Sequence, residues 1–313
     1  MKKALITGCG GFIGSHMADL LVSNGLEVHG LVFEDMKNVE HLKGKIKLIK
    51  CDISDRQSVE KVISEVKPDY IFHFGAQSFV IPSWKDPEST FKTNILGTLY
   101  IFDAVRKAGI DPVIAVACSS AEYGYTYENE IPINESKVFR PSSPYAISKV
   151  ATDMISELYA KTYKLKILRV RFFNISGPRK TMDACSDFAR DVAEVEKGLK
   201  PSVVVGNLNG VRDITDARDA VRAVWLLTKK GTFGDVYNIC SGKGYKVRDL
   251  LNNLIEMSGK KMEIRERATE RLRPIDDPLF LGDNSKMRRL GWEPKIPIEQ
   301  TLRDTLDYWR KNL

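Results

Sequence analysis

The sequence predicts an α/β chain, a doubly wound parallel sheet followed by a smaller α/β C-terminal domain. Three observations carry that expectation. Short apolar runs alternate with helical patterns through the first half, the order of a parallel sheet covered on both faces. A glycine-rich turn joins the first run to the first helix. The length, 313 residues with 43% hydrophobic and 28% charged, suits one large or two coupled globular domains.

The elements follow in order. Lys3–Thr7 is a short apolar strand. Residues 12–24 place Ile13, Met17, Leu20 and Leu21 on one helical stripe. Residues 27–33 and 46–51 read as the second and third strands. Arg56–Val66 is a helix that starts after Ser54-Asp55 and stops before Pro68. Residues 70–74 and 113–118 are buried-type strands, with one long helix over 88–108 between them. Pro144–Tyr163 is a helix, and 166–171 a strand. Beyond that the pattern loosens. Helices are expected at 187–197, 216–229, Val247–Ser258 and 298–311, and strands at 202–205 and Val236–Ile239. A loop rich in charge and proline spans 265–278. No repeat or flexible linker appears, so the second domain should pack directly on the first. The expected partition is 1–172 for the sheet domain, with 211–235 returning to it, and 173–313 mainly for the second domain.

Composition excludes several classes. The 48 Lys+Arg against 41 Asp+Glu leave a net charge of +7, spread along the chain. There is no arginine-rich arm and no zinc-finger spacing, so nucleic acid is not an expected partner. A basic balance suits an anionic small molecule. No apolar run approaches the ~20 residues of a membrane span. The apolar stretch after Met1-Lys2-Lys3 breaks at Thr7-Gly8, too early for a secretory signal. Cys9, Cys51, Cys118, Cys185 and Cys240 are far apart and form no CxxC. They fit reduced core thiols, and the expected location is cytoplasmic. His16, His29, His41 and His73 lack ligand spacing, so no metal site is expected.

Gly8-Cys9-Gly10-Gly11-Phe12-Ile13-Gly14 follows the first strand and opens a helix. Glycines at this spacing allow a tight turn, a close approach of backbone to a pyrophosphate, and close packing of helix on strand. The helix N-terminus then faces the phosphates. Gly8, Gly11, Phe12, Ile13 and Gly14 are therefore expected to contact NAD or NADP in a Rossmann-type arrangement. An acidic residue about 20 positions on would favour NAD. Val32 stands there, Glu34 and Asp35 come slightly late, and no arginine awaits a 2′-phosphate, so the choice stays open. Asp52, followed by Ile53, is placed either to meet the adenine or to start a helix beside Ser54.

Tyr145-Ala146-Ile147-Ser148-Lys149 puts a phenol and an amine on one helix face. An ammonium beside a tyrosine lowers the phenol pKa and lets it exchange a proton with a sugar or alcohol oxygen. Lys149 is also placed to hold the nicotinamide ribose. Ser119-Ser120 ends a buried strand between the glycine loop and this pair.

Together these residues resemble the extended short-chain dehydrogenase/reductases, the NAD-dependent epimerase/dehydratase family that acts on nucleotide sugars. The resemblance covers essentially the whole chain. It implies a Ser119, Tyr145, Lys149 triad, with Ser120 and Glu122 as accessory candidates. His73-Phe74-Gly75-Ala76-Gln77-Ser78 resembles the loop that covers the cofactor, implying contacts from Phe74, Gly75 and Ala76, with Ser78 toward substrate. Thr93 to Thr98 resembles the "TNxxGT" helix, implying Asn94 near the substrate. Arg171 to Pro178 resembles "RxFNxxGP", whose Asn, here Asn174, touches the substrate diphosphate. Arg212-Asp213-Ile214-Thr215-Asp216 and Arg273-Pro274 resemble two phosphate- or nucleotide-gripping segments. Arginine suits that task because it binds phosphate bidentately. The resemblance is strongest to the GDP-mannose branch, and within it to the GDP-4-keto-6-deoxy-mannose reductases. It implies a homodimer built on 88–108 and 144–163, with stripes Ile95, Leu99, Phe102 and Ile155, Leu158.

The dehydratases of that family carry a Glu two residues after the triad Ser or Thr, a base for the C5 proton. Here that position is Ala121, and Glu122 comes one later. The expected function is therefore NAD(P)H-dependent reduction of a GDP-4-keto-6-deoxy-hexose. A 4-epimerase with internally recycled nicotinamide, or a dehydratase using Glu122 as a displaced base, are the alternatives.

Overall fold

The computed structural model describes residues 1–34, 36–266 and 279–313. The chain begins β1 (Lys3–Thr7), α1 (Phe12–Ser23), β2 (Glu27–Val32), β3 (Lys47–Lys50), α2 (Arg56–Val66) and β4 (Tyr70–His73). It continues through α3 (Val80–Lys85), α4 (Pro87–Phe91), α5 (Gly97–Lys107), β5 (Val113–Ser119), α6 (Pro144–Tyr163) and β6 (Lys166–Phe172). Then come β7 (Asn174–Ser176), α7 (Ala184–Glu196), β8 (Ser202–Val204), β9 (Val211–Asp216), α8 (Ala217–Lys230) and β10 (Val236–Ile239). The rest is β11 (Gly244–Lys246), α9 (Val247–Ser258), β12 (Glu263–Arg265), β13 (Leu279–Phe280), α10 (Ser285–Arg289) and α11 (Ile298–Asn312).

Seven strands form one parallel sheet in the order β10-β6-β5-β4-β1-β2-β3. Its two faces are each covered by an apolar cluster. Met17 and Leu21 of α1 and Val224 and Leu227 of α8 fill one side. Val59 and Ile63 of α2, Phe102 of α5 and Tyr159 of α6 fill the other. A third cluster joins α7, α9 and α11. This is the α/β architecture that the alternating pattern predicts, and it places strand carboxyl ends along one edge where ligands bind.

Two local differences have physical causes. The helix expected over 88–108 is broken into α4, a π-helical turn at Lys92–Leu96, and α5. The Asn94 carbonyl accepts the hydroxyls of Thr98 and Thr152, at 2.7 and 3.1 Å, so it is drawn out of a regular ladder. Strands β7, β9, β11 and β13 form a small second sheet. Most are two or three residues long, too short to show a period. Strand β9 stays in the small sheet, α8 packs on the large one, and β10 pairs with β6. All five cysteines are free and buried. Among the described residues no helix is long and apolar enough to cross a membrane.

Candidate active site

The glycine turn follows β1 directly. Gly8 adopts φ +67°, and a Cβ there would meet the Gly75 backbone at 2.8 Å. A Cβ on Gly14 would lie 2.1 Å from the Gly8 carbonyl, so α1 can start this close to β1 only with glycine. Gly11 caps α1 without a side-chain bond, and no acidic residue sits in the first turn. The first amides of α1, from Phe12 through Gly14, therefore lie at a positive helix end that suits a pyrophosphate. The Phe12 and Ile13 side chains instead pack on the core.

A cavity of about 700 Å³ opens beside this turn. Gly8, Phe33, Asp52, Ile53, Gly75 and Ala76 line it. Asp52 accepts the Ser54 N–H at 2.8 Å and lines the cavity, while Asp55 is the residue that caps α2. Phe74 packs against Phe72 and Phe172. Its neighbour Gly75 donates its N–H to Thr7 Oγ1 at 2.8 Å.

A buried hydrogen-bond chain ties this region to the next helices. Thr98 Oγ1 donates to the Asn94 carbonyl, so it must accept from His73 Nε2 at 2.9 Å. His73 Nδ1 is then the acceptor for Thr7 Oγ1 at 2.8 Å. Burial, and secondarily the Lys149 charge, push the His73 pKa down to about 3, so the ring is neutral. Asn94 bonds Gln77 N–H and carbonyl, and donates to Ser148 Oγ at 2.9 Å. All its amide atoms are used inside the protein and it is 1% exposed.

Strand β5 ends at Ser119, and α6 starts from the Ser143 cap. The Tyr145 N–H donates to Ser83 Oγ at 3.1 Å. The Ser119 hydroxyl lies close enough to the Tyr145 phenol to favour its ionised form. Lys149, one turn further, donates Nζ to the Ala117 carbonyl at 2.7 Å. The structure thus brings Ser119, Tyr145 and Lys149 together. It does not lower the Tyr145 pKa as expected. Burial raises it to about 12, with the Ser119 hydroxyl opposing. Burial also depresses the Lys149 pKa, and its ammonium is spent on a carbonyl.

The other expected residues fall as follows. Ser120 is buried at the start of a 3₁₀ turn. Glu122 is fully buried and turned under Ser119, whose N–H it accepts at 2.7 Å. It is not presented as a displaced base. Ser78 is exposed beyond Gln77. Asn174 is exposed and donates Nδ2 to the Asp213 carbonyl at 3.0 Å. Arg212 is half-buried beside Gly210 and donates to the Val211 carbonyl at 2.9 Å. Arg273 lies outside the described residues, as does Asp35.

Sequence reasoning missed Asp153 and the part Arg171 plays with it. Arg169 and Arg171 stand two apart in an apolar strand, so both point to one buried face, and that demanded a buried acid. Asp153 supplies it, at 2.7 Å from Arg169 and 2.9 Å from Arg171.

The family described as GDP-mannose 4,6-dehydratase matches residues 5–305. The chain is 29% identical to a GDP-6-deoxy-D-mannose reductase of Pseudomonas aeruginosa, over 100% of this chain and 98% of that one. A solved structure of RMD from Pseudomonas aeruginosa complexed with NADPH has a TM-score of 0.87 and 27% identity, with 100% of both chains covered. The Thermus thermophilus UDP-glucose 4-epimerase complex with NAD also has a TM-score of 0.87, at 31% identity over 99% of this chain and 100% of that one. With the glycine turn, the cavity and the Ser119, Tyr145 and Lys149 cluster described, the chain is a nucleotide-sugar-modifying, NAD(P)-dependent enzyme of the extended short-chain dehydrogenase/reductase type, and it belongs to the GDP-mannose 4,6-dehydratase family.

Proposed function

We propose that the chain is an NAD(P)H-dependent reductase of a GDP-4-keto-6-deoxy-hexose, the GDP-4-keto-6-deoxy-mannose type. The observation that carries this reading is the missing base. Ala121 occupies the position of the dehydratase Glu, and Glu122 is turned beneath the site. Whole-length similarity to a reductase supports the same direction.

A bound reduced nicotinamide supplies the hydride. The chain's own residues do the rest. Ser119 holds the C4 carbonyl oxygen, and Tyr145 gives its phenolic proton to that oxygen as the new C–H bond forms. Hydride and proton together turn ketone into alcohol. Lys149 supplies the positive charge behind the phenolate that remains. Asn174 and Arg212 stand at the second sheet, where they would meet the nucleotide diphosphate, a role we assign also to Arg273. The half-buried and exposed apolar residues of α6 support a homodimer.

The test is oxidation of NADH or NADPH by purified protein given GDP-4-keto-6-deoxy-mannose. Oxidation that Tyr145→Phe lowers by about a hundredfold or more supports the reading. No oxidation with either cofactor overturns it in favour of a 4-epimerase, which the likeness to UDP-glucose 4-epimerase supports.

A further inference from the structure

Beneath the end of β5 lies a closed set of charged groups that the proton and hydride transfers do not touch. Glu122 is 0% exposed. Its Oε1 accepts the Ser119 N–H at 2.7 Å, while the Ser119 hydroxyl oxygen accepts the Ala121 N–H at 3.1 Å. Its Oε2 makes no hydrogen bond and lies 3.4 Å from Arg171 Nε. Arg171 Nε donates to Asp153 Oδ2 at 2.9 Å, and its Nη1 donates to Tyr123 Oη and the Glu135 carbonyl, both at 2.9 Å. Arg169 holds Asp153 Oδ1 at 2.7 Å. Asp153 stands on α6 one turn beyond Lys149, which is one turn beyond Tyr145.

A buried carboxyl is costly, and an apolar side chain of the same size would fill this space more cheaply. Burial first, and the Asp153 carboxylate second, raise the Glu122 pKa well above the usual range, with Arg171 opposing. Such a group is kept where its geometry matters. We propose that Glu122 is a positioning residue, which fixes the Ser119 backbone and, through Arg171 and Asp153, ties it to the helix that carries Tyr145 and Lys149. The inference rests on the reading of Ser119, Tyr145 and Lys149 as the reacting triad. Glu122 touches neither substrate nor cofactor. It acts through Ser119 alone, by setting the register of one hydroxyl against one phenol. A shift of about 1 Å there is enough to slow the reaction by about a hundredfold.

The experiment is a double-mutant cycle of Glu122→Met with Ser119→Ala. It is run on whichever nucleotide-sugar reaction the wild-type chain performs, with NADH binding and thermal melting measured alongside. Failure of the reductase reading appears in the wild-type substrate alone, whereas failure of the positioning role appears in the ratios between variants. Glu122→Met should lower kcat about tenfold or more, with KM and NADH affinity changed less than about twofold. In the Ser119→Ala background the same change should cost less than about twofold. Glu122→Gln keeps an acceptor for the Ser119 amide and should recover most of the lost kcat. An equal loss in both backgrounds, or none in a folded Glu122→Met, overturns the proposal. If Glu122→Met does not fold, the smaller Glu122→Ala, which also removes the acceptor, takes its place in the cycle. A kcat loss confined to the chain with Ser119 then supports the proposal, and an unchanged or additive kcat overturns it.

Discussion

In the proposed reduction Tyr145 is the proton donor, and burial sets its state. With its pKa raised to about 12, the phenol stays protonated across the working range and serves as a proton donor. The protonated form is the useful one for reduction, so activity is lost only as pH rises through the pKa. The expected result is a kcat that shows no alkaline limb between about pH 6 and 10, read at saturating substrate. His16 acts on stability instead. Its Nε2 donates to the Pro178 carbonyl at 3.0 Å, and burial, then Arg179, lower its pKa to about 4. The unfolded imidazole binds a proton below about pH 6.5, while the folded one does not until about pH 4. Its contribution is present above the unfolded pKa and lost as pH falls, by up to about 3 kcal/mol. Melting curves from about pH 7 down to 4.5 should fall, and His16→Gln should flatten the fall. Arg171→Leu should cost about 3–5 kcal/mol in denaturant unfolding, because it strands Asp153 and Glu122 in the core.

At the scale of elements, β1 and α1 were legible because glycine spacing states a backbone requirement directly. Gly14→Ala should weaken NADH binding by about tenfold or more, read by fluorescence quenching, since its Cβ would sit 2.1 Å from the Gly8 carbonyl. The end of strand β2 bears on the choice between NADH and NADPH. Exposed Phe33 follows it and lines the cavity, whose lining among the described residues also carries Asp52, Asp86 and Glu88 against one cation, Lys92. A 2′-phosphate would add about two negative charges there. NADH should therefore bind about tenfold tighter than NADPH, and a Phe33→Arg/Glu34→Arg chain should narrow the gap. Helix α6 was predicted to its last residue, Pro144–Tyr163, because Ser143, Pro144 and the length all agree. The break at Lys92–Leu96 was not, since it depends on hydroxyls that reach Asn94 from another helix.

At the scale of the molecule, segments distant in the chain are held together by polar contacts. The loop after β7 returns to α1 through His16 and Pro178, through an Arg179–Asp19 ion pair at 2.7 Å, and through Lys180 over the Phe12 ring. The surface of α6 is the other large-scale feature. The stripes expected for a dimer are partly in the core: Phe102 is fully buried, and Leu99 and Ile155 pack on the sheet. What α6 leaves exposed is Ile147, Met154 and Leu158, at helical spacing, with Leu96 exposed on the π-helical turn. A homodimer through this face should appear in light scattering at micromolar protein, and Met154→Glu/Leu158→Glu should give monomers with unchanged NADH binding.

The order along the chain of the seven strands of the large sheet, the glycine turn and the Tyr145–Lys149 face were written in the sequence, because each depends on neighbours within a few residues. The tertiary structure alone decided which polar groups face the cavity. Asn94 sits in a motif that suggests substrate, yet Gln77 and Ser148, distant in the chain, consume its amide. Glu122 sits three residues after Ser119, yet the turn swings it under the strand, where Arg171 waits. A motif names the residue type, but the partners that desolvate it and use up its hydrogen bonds come from elsewhere in the chain. Those partners determine whether a carboxyl, an amide or a phenol reacts with a ligand or holds the protein together.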